Sequence, residues 1–276
     1  MNYRHHFHAG NFADLLKHAV VLHILQTLKA DGRPIRVVDT HAGAGVYDLG
    51  DDMAQKSGEA KSGILRLMEA ERIPALLAPL VAYVRSQNSA GPIRTYPGSP
   101  HIICGYLGAV DSYLGCELRP DDYNVLRGTL SRFGTRGRVA SFADGYATAK
   151  SLASYSQGNT FILIDPPFER GDEYACVLEA TQALLRLRPR PIIAIWAPIK
   201  DLETFDGLLR DIESLRPPPT WVVQSRVRGL ENPLRLNGSA MIVIGATLDV
   251  AKVHEAADWI ALALGGQCAK GACLPL

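Results

Sequence analysis

From residue 112 onward the chain alternates short apolar runs with helical patterns, and this alternation restricts the fold more than any other feature. Runs at 112–117, 137–142, 160–164, 191–196, 220–226 and 240–246 read as strands. Helical patterns fall near 120–132, 145–154, 173–187, 200–213 and 250–264. Strands separated by helices return in the same direction through crossovers. The expected fold is therefore α/β, with a mostly parallel, doubly wound sheet. The last two strands lack a clear helix between them, which predicts an antiparallel C-terminal edge. Upstream, residues 11–29 repeat apolar side chains at helical spacing, with Asn11 as N-cap and Asp31-Gly32 as stop. Residues 35–39 form a short buried strand that ends in the small-residue turn Thr40-His41-Ala42-Gly43-Ala44-Gly45.

Residues 57–87 carry helix formers at 58–71 and 75–87, broken at Pro74, and show no strand pattern. They read as a helical insertion. Pro97-Gly98-Ser99-Pro100 then opens another helix, with Ser99 as the expected N-cap and Pro100 in the first turn.

Composition narrows the function classes. Hydrophobic residues make up 47% and charged residues 21% of 276, which is enough for a sizeable core and excludes wholesale disorder. The 29 Lys+Arg nearly cancel 28 Asp+Glu, giving +1, so any nucleic-acid contact must come from a local patch or a shaped pocket. The start of the chain lacks a signal peptide's apolar core, and no apolar stretch reaches the length of a membrane span. Five scattered cysteines without CxxC pairs argue against a disulfide framework or a zinc site. A cytoplasmic, monomeric protein without metal or membrane attachment is the expectation.

The most informative tetrapeptide is Asp165-Pro166-Pro167-Phe168, directly after the strand at 160–164. Ligands of open α/β sheets bind beyond the carboxyl ends of strands. The N6 amine of adenine is a poor nucleophile because its lone pair is delocalised into the ring. A carboxylate that accepts one N–H, with the Pro166 carbonyl accepting the other, makes that lone pair more available. Proline fixes φ and so holds the turn in place. Phe168 offers a face for an extruded base, worth about 1–3 kcal/mol. The alternative is a proline-rich turn that merely closes a strand.

Other strand ends carry acids. Glu117 suits the two hydroxyls of a ribose, although alone it would read as an exposed strand-end carboxylate. Asp144 can accept from an adenine amino group, and Gly145 lets the backbone come near. The turn after Asp39 does not match G-x-G-x-x-G, so a dinucleotide reading is weak. Taken with Asp165, these ends describe a cofactor holding an amino acid, a ribose and an adenine beside an amine substrate. S-adenosylmethionine fits that description. Tyr3-Arg4-His5-His6-Phe7-His8 suggests metal or RNA, or an unanchored start. With no metal-ligand spacing, RNA is preferred over metal. Lys17 could pair with a cofactor carboxylate and His18 could hydrogen-bond it, or both could lie on the surface. Cys268 to Cys273 lie in a small-residue tail with no assigned role.

Several long motifs, taken together, resemble one family. They are Tyr3-Arg4-His5-x-Phe7-His8-Ala9-Gly10-Asn11-x-Ala13-Asp14-x-Leu16-Lys17-His18, Asp39-Thr-His-Ala-Gly-Ala-Gly45, Tyr96-Pro-Gly-Ser-Pro100, Glu117-Leu-x-Pro120, Asp144-Gly145 and Asp165-Pro-Pro. The pattern resembles the RlmJ-type 23S ribosomal RNA adenine-N6 methyltransferases from residue 3 to about 247. The resemblance implies a Rossmann-like class I methyltransferase domain (1–46 and 96–276) with a small helical subdomain inserted at 47–95. It implies S-adenosylmethionine-dependent methylation of adenine(2030) in 23S RNA. Carried over by position, His18, His41, Ser99, Glu117, Asp144 and Gly145 would contact the cofactor. Asp165 would be the catalytic acceptor, and Tyr3 would touch the RNA beside Pro166 and Phe168. Phe168 departs from the tyrosine common in the family, which keeps a stacking face but loses a hydroxyl. The rival readings are an amino-methyltransferase acting on DNA or a small molecule, a nucleotide-dependent oxidoreductase, and an inactive RNA-binding module.

Overall fold

The computed structural model describes residues 7–88, 91–134, 136–152 and 159–276. Ten strands are present among them: β1 (Ile35–Asp39), β2 (Val46–Asp48), β3 (Thr95–Pro97), β4 (Ser112–Cys116), β5 (Arg138–Ser141), β6 (Asn159–Ile164), β7 (Ile192–Ile199), β8 (Thr220–Arg226), β9 (Gly238–Ile244) and β10 (Lys270–Pro275). Eight of these form one sheet in the order β10-β8-β9-β7-β6-β1-β4-β5, and β2 pairs with β3 apart from it.

The helices explain why the sheet is covered on both faces. They are α1 (Phe12–Ala30), α2 (Asp52–Ser57), α3 (Arg66–Met68), α4 (Ala78–Ser86), α5 (Ser99–Tyr106), α6 (Pro120–Ser131), α7 (Gly145–Ser151), α8 (Glu173–Leu185), α9 (Leu202–Ser214) and α10 (Val250–Leu264). Alternate strand residues feed two cores. Val37, Phe161 and Leu163 pack with α1 and α10 on one face. Val38, Ile162 and Ile164 pack with α8 and α9 on the other. A two-residue period buried on both sides is what a parallel sheet between helices requires.

Strands β1, β4, β5, β6 and β7 are mutually parallel. After β1 the chain builds outward through β4 and β5, then returns to β6 on the other side and builds outward through β7. The order therefore reverses between β1 and β6, and their carboxyl ends open a crevice. Asp39 ends β1, and Asp165 follows β6.

The antiparallel end is larger than the sequence predicts. β9 lies between β7 and β8, antiparallel to both. The tail left without a role supplies the true edge, β10, antiparallel to β8. Gly271 explains how this strand can pack so tightly: a Cβ there would lie 2.1 Å from the Asp258 nitrogen of α10. The short β2–β3 pair was also not predicted, and it closes the base of segment 49–94. That segment is less regular than the expected helices at 58–71 and 75–87. It makes a π-helical turn at Lys61–Leu65 before α3, and α4 follows Pro74. Its buried Ile64, Leu67, Leu77 and Leu80 join the same core as Leu15 and Leu16 of α1.

Helix α1 is enclosed almost all round, and Asp14, Lys17 and His18 are buried along with its apolar side chains. Buried charges need partners. Where α1 finds them determines the site. No helix among the described residues is long and apolar enough to cross a membrane.

Candidate active site

A cavity of about 870 Å³ opens over the carboxyl ends of β1, β4, β5, β6 and β7. This is near the upper end of the roughly 300–1,000 Å³ common for ligand sites. His18, His41, Ser99, Glu117, Asp144, Gly145, Asp165, Pro166 and Phe168 all line it. The sheet thus brings together residues spread over 150 positions. Tyr3 and Arg4 lie outside the described residues.

Asp165 sits at the centre. Its Oδ2 accepts a hydrogen bond from Lys17 Nζ at 2.6 Å. Lys17 also lies 2.9 Å from Asp14 Oδ1, one helical turn away on α1. The lysine is therefore bound within the protein by two carboxylates. It does not stand open to a cofactor carboxylate, as the sequence allowed. Burial alone would push its ammonium down, but the two acids outweigh that and hold its pKa well above the ordinary value.

Asp39 lies beneath this cluster, fully buried. Its Oδ2 accepts from Ser99 Oγ at 2.8 Å and from the Tyr113 hydroxyl at 3.1 Å. Burial pushes its carboxyl up to about 6, with the charge of Asp165 adding to the rise. Ser99 is not the cap of α5. Gly98 holds that position, and Ser99 begins the helix with its hydroxyl drawn to Asp39.

The acids at the next strand ends are held by backbone donors. Glu117 accepts from Gly43 N–H through Oε2 at 2.9 Å and from Arg119 N–H through Oε1 at 2.7 Å. Burial raises its pKa despite these bonds. A carboxylate has about four acceptor sites, so each oxygen keeps capacity for a further donor. Gly43 is left-handed (φ +64), and a Cβ there would meet the Tyr47 hydroxyl at 2.5 Å. Asp144 caps α7 by accepting from Ala147 N–H at 3.0 Å. Gly145 lies against the first turn, where a Cβ would stand 1.9 Å from the Thr40 carbonyl oxygen.

The histidines differ in environment. His41 shares a hydrogen bond with Thr40 Oγ1 through Nδ1 at 2.8 Å, and its ring meets Tyr146 edge-on at 4.7 Å. Burial lowers its pKa to about 4, so the ring is neutral at physiological pH. His18 is fully buried, with Nδ1 2.8 Å from the Tyr96 hydroxyl.

Phe168 reaches the cavity wall, but its ring is largely covered. It packs on Tyr174 at 4.8 Å and on Trp196 at 5.9 Å and is 7% exposed. Its φ of +50 is left-handed, a conformation that costs a non-glycine residue about 1–3 kcal/mol and marks a constrained loop. Sequence reasoning missed the parts of the wall beyond this loop. Trp196, Pro198 and Lys200 from β7 and its end, with Leu234 and Leu236 from the β8–β9 connection, line the same cavity. Only Trp196 stands at the end of a predicted strand; Pro198 and Lys200 lie just past it, and Leu234 and Leu236 fall between predicted strands with no local signal. Among the described residues, no group of three or more His, Cys, Asp or Glu could hold a metal ion.

Comparison with known proteins identifies the family. The family described as ribosomal RNA large subunit methyltransferase D, RlmJ, matches residues 32–273. Ribosomal RNA large subunit methyltransferase J of Escherichia coli K12 is 35% identical over 244 residues, which is 88% of this chain and 86% of its own. The protein of the same name from Haemophilus influenzae is 31% identical over 245 residues, again 88% and 86%. A crystal structure of a Legionella pneumophila Philadelphia 1 protein superposes with a TM-score of 0.88 at 23% identity, covering 97% of this chain and 98% of that one. This sheet is the Rossmann-like class I methyltransferase fold, and the chain belongs to the RlmJ family of ribosomal RNA large subunit methyltransferases.

Proposed function

We propose that the protein transfers a methyl group from S-adenosylmethionine to the N6 amine of an adenine in 23S ribosomal RNA, adenine(2030), in the cytoplasm. One observation carries the reading. The Asp165-Pro166-Pro167-Phe168 turn lies in the same cavity as the acids Glu117 and Asp144.

The residues present suit the cofactor. Glu117 holds both oxygens in place through backbone donors and keeps acceptor capacity for two ribose hydroxyls. Gly43 and Gly145 sit where a side chain would collide with the surrounding wall, so backbone lines the cavity at both points. Asp144 uses Oδ1 as a helix cap, and its other oxygen is the candidate acceptor for an adenine amine. His41, neutral and ordered by Thr40 and Tyr146, and His18 and Ser99 complete the proposed cofactor wall.

S-adenosylmethionine supplies a methyl group already activated on its sulfonium, which leaves orientation as the protein's main task. Lys17 fixes Asp165 through Oδ2, and Oδ1 remains to accept one N–H of the target amine. The Pro166 carbonyl accepts the other. These two acceptors hold the amine and favour its lone pair as the N–C bond forms and the donor's S–C bond breaks, leaving S-adenosylhomocysteine. Asp165 then takes the departing proton, directly or through water. Pro166, Pro167 and the constrained Phe168 keep the turn from relaxing away. The target base must leave its stack, which costs a few kcal/mol and least in a loop. Trp196, beside the largely covered ring of Phe168, gives it an apolar surface to meet. Tyr3, Arg4, Lys56, Lys61 and Arg66, with segment 47–95 as a platform, are the proposed RNA contacts.

Separate pools of RNA, DNA and small molecules incubated with methyl-labelled cofactor test the substrate class. Label is expected in RNA. Mass mapping of 23S RNA from a strain lacking the protein then tests the position, with loss of one methyl on adenine(2030) expected. Label in DNA or small molecules alone would overturn the reading.

A further inference from the structure

The π-helical turn of the inserted segment interlocks with the start of α1. Ile64 donates its backbone N–H to the Gly10 carbonyl at 2.8 Å. Gly63 lies so close that a Cβ there would stand 2.1 Å from the same oxygen. Gly10 is itself left-handed (φ +77).

Glu59, just before this turn, uses both carboxylate oxygens on the approach to α1. Oε1 lies 3.0 Å from Nδ1 of His8, which lines the cavity. Oε2 accepts from Asn11 Nδ2 at 2.9 Å. Asn11 caps α1, its Oδ1 accepting from the N–H groups of Ala13 and Asp14 at 2.9 and 3.0 Å. Asp14 then accepts from Gly10 N–H at 2.9 Å and holds Lys17, and Lys17 holds Asp165. A continuous chain of contacts thus runs from the insertion to the proposed catalytic acid.

We propose that Glu59 is a positioning residue for methyl transfer: it fixes His8 and the Asn11 cap so that Asp14, in the first turn of α1, presents Lys17 to Asp165. This rests on the function proposed above. The His8–Glu59 pair has side chains 38% and 36% exposed. An ion pair that open to water stabilises a fold little. The Asn11 cap bonds are already satisfied by Ala13 and Asp14, so Glu59 is not needed to cap the helix. What Glu59 adds is direction: two oxygens fix two side chains at the mouth of the cavity. The electrostatics agree. The hydrogen bond to Glu59 raises the His8 pKa, with the charges of Glu59, Asp14 and Glu169 acting the same way and burial opposing them.

The test compares wild type, Glu59→Ala and Glu59→Gln, with Glu71→Gln as a charge-matched control on an exposed position of the same segment. Four quantities are read: kcat and KM on an RNA hairpin carrying the target adenine, S-adenosylhomocysteine affinity, melting temperature, and amide exchange over residues 10–17 of the free protein. Glu59→Ala is expected to lower kcat by about tenfold to a hundredfold, the scale of a small misplacement of reacting groups. KM, product affinity and melting temperature should stay near wild type, while exchange over 10–17 quickens. Glu59→Gln should recover the larger part of kcat, since its amide oxygen can still accept from Asn11. Wild-type kcat in Glu59→Ala would overturn the proposal. So would a loss that follows melting temperature and is not rescued by glutamine. A wild-type protein inactive on every RNA would instead sink the proposed function, and this proposal with it.

Discussion

Lys17 Nζ lies 2.6 Å from Asp165 Oδ2, although the two residues are 148 positions apart. The lysine is buried between two acids, so removing it leaves Asp14 and Asp165 facing each other without a cation. Breaking a buried pair from one side costs about 3–5 kcal/mol. Lys17→Met, which keeps the side-chain volume, is expected to lower stability by that order and to abolish methyl transfer. Urea denaturation and a single-turnover assay check the two effects. A stable Lys17→Met with ordinary activity would show that the pairing serves neither purpose.

Asp165→Asn separates binding from chemistry. The amide keeps the volume and can still accept one hydrogen bond, but it is a poor proton acceptor. Glu117 and Asp144, on other strand ends, are untouched. Affinity for S-adenosylhomocysteine should change little, while methyl transfer falls by about 10²–10⁴-fold, the usual worth of a positioned acid or base. Calorimetry with the product and a quench assay with RNA give the two readings. Full activity in the variant would remove Asp165 from the mechanism.

Gly145→Ala tests the proposed cofactor wall. The new methyl group would stand 1.9 Å from the Thr40 carbonyl oxygen, far inside contact distance. That neighbour is backbone and cannot swing aside, so the first turn and the start of α7 must separate. Weaker product binding, with a lower melting temperature, is the expected outcome. Gly171→Ala is the control, because nothing lies within 4 Å of a Cβ at that position. Equal product affinity in both variants would remove Gly145 from the wall.

Much of this site is legible in the sequence because strand ends are local features. A buried run followed by Asp-Pro-Pro-Phe reads directly, whereas the reversal of strand order between β1 and β6 that opens the crevice is seen only in the fold. The partners of charged side chains are not legible, because they are set by packing. Lys17 shows a helical position but not the strand end it meets. Ser99 carries the signature of a cap, yet the buried carboxylate of Asp39 draws its hydroxyl instead. β10 escaped notice because its Lys-Gly-Ala-Cys run lacks the branched and aromatic residues of ordinary strands. Its small side chains are what let α10 lie against it. The stacking face read into Phe168 is mostly covered by Tyr174 and Trp196, a contact between elements that no local pattern encodes.

Asp39 gives the structure a pH signature whose sign can be worked out. An unfolded aspartate titrates near ~3.9, whereas burial moves the folded group up to about 6. Between these values the folded state binds more protons than the unfolded state, so this group's contribution to stability falls as pH rises. It is fully present below the unfolded value and lost as pH passes the folded one. At about 1.4 kcal/mol per unit, the change across the window is roughly 3 kcal/mol. Asp39→Asn removes the titration, and its amide oxygen can still accept from Ser99 and Tyr113. The stability of wild type minus that of Asp39→Asn, measured by urea denaturation from pH 4 to 7, should therefore fall by that order as pH rises. Other carboxylates titrate in both proteins and largely cancel in the difference. A flat difference would mean that Asp39 stays ionised in the folded protein, and that Ser99 and Tyr113 outweigh its burial.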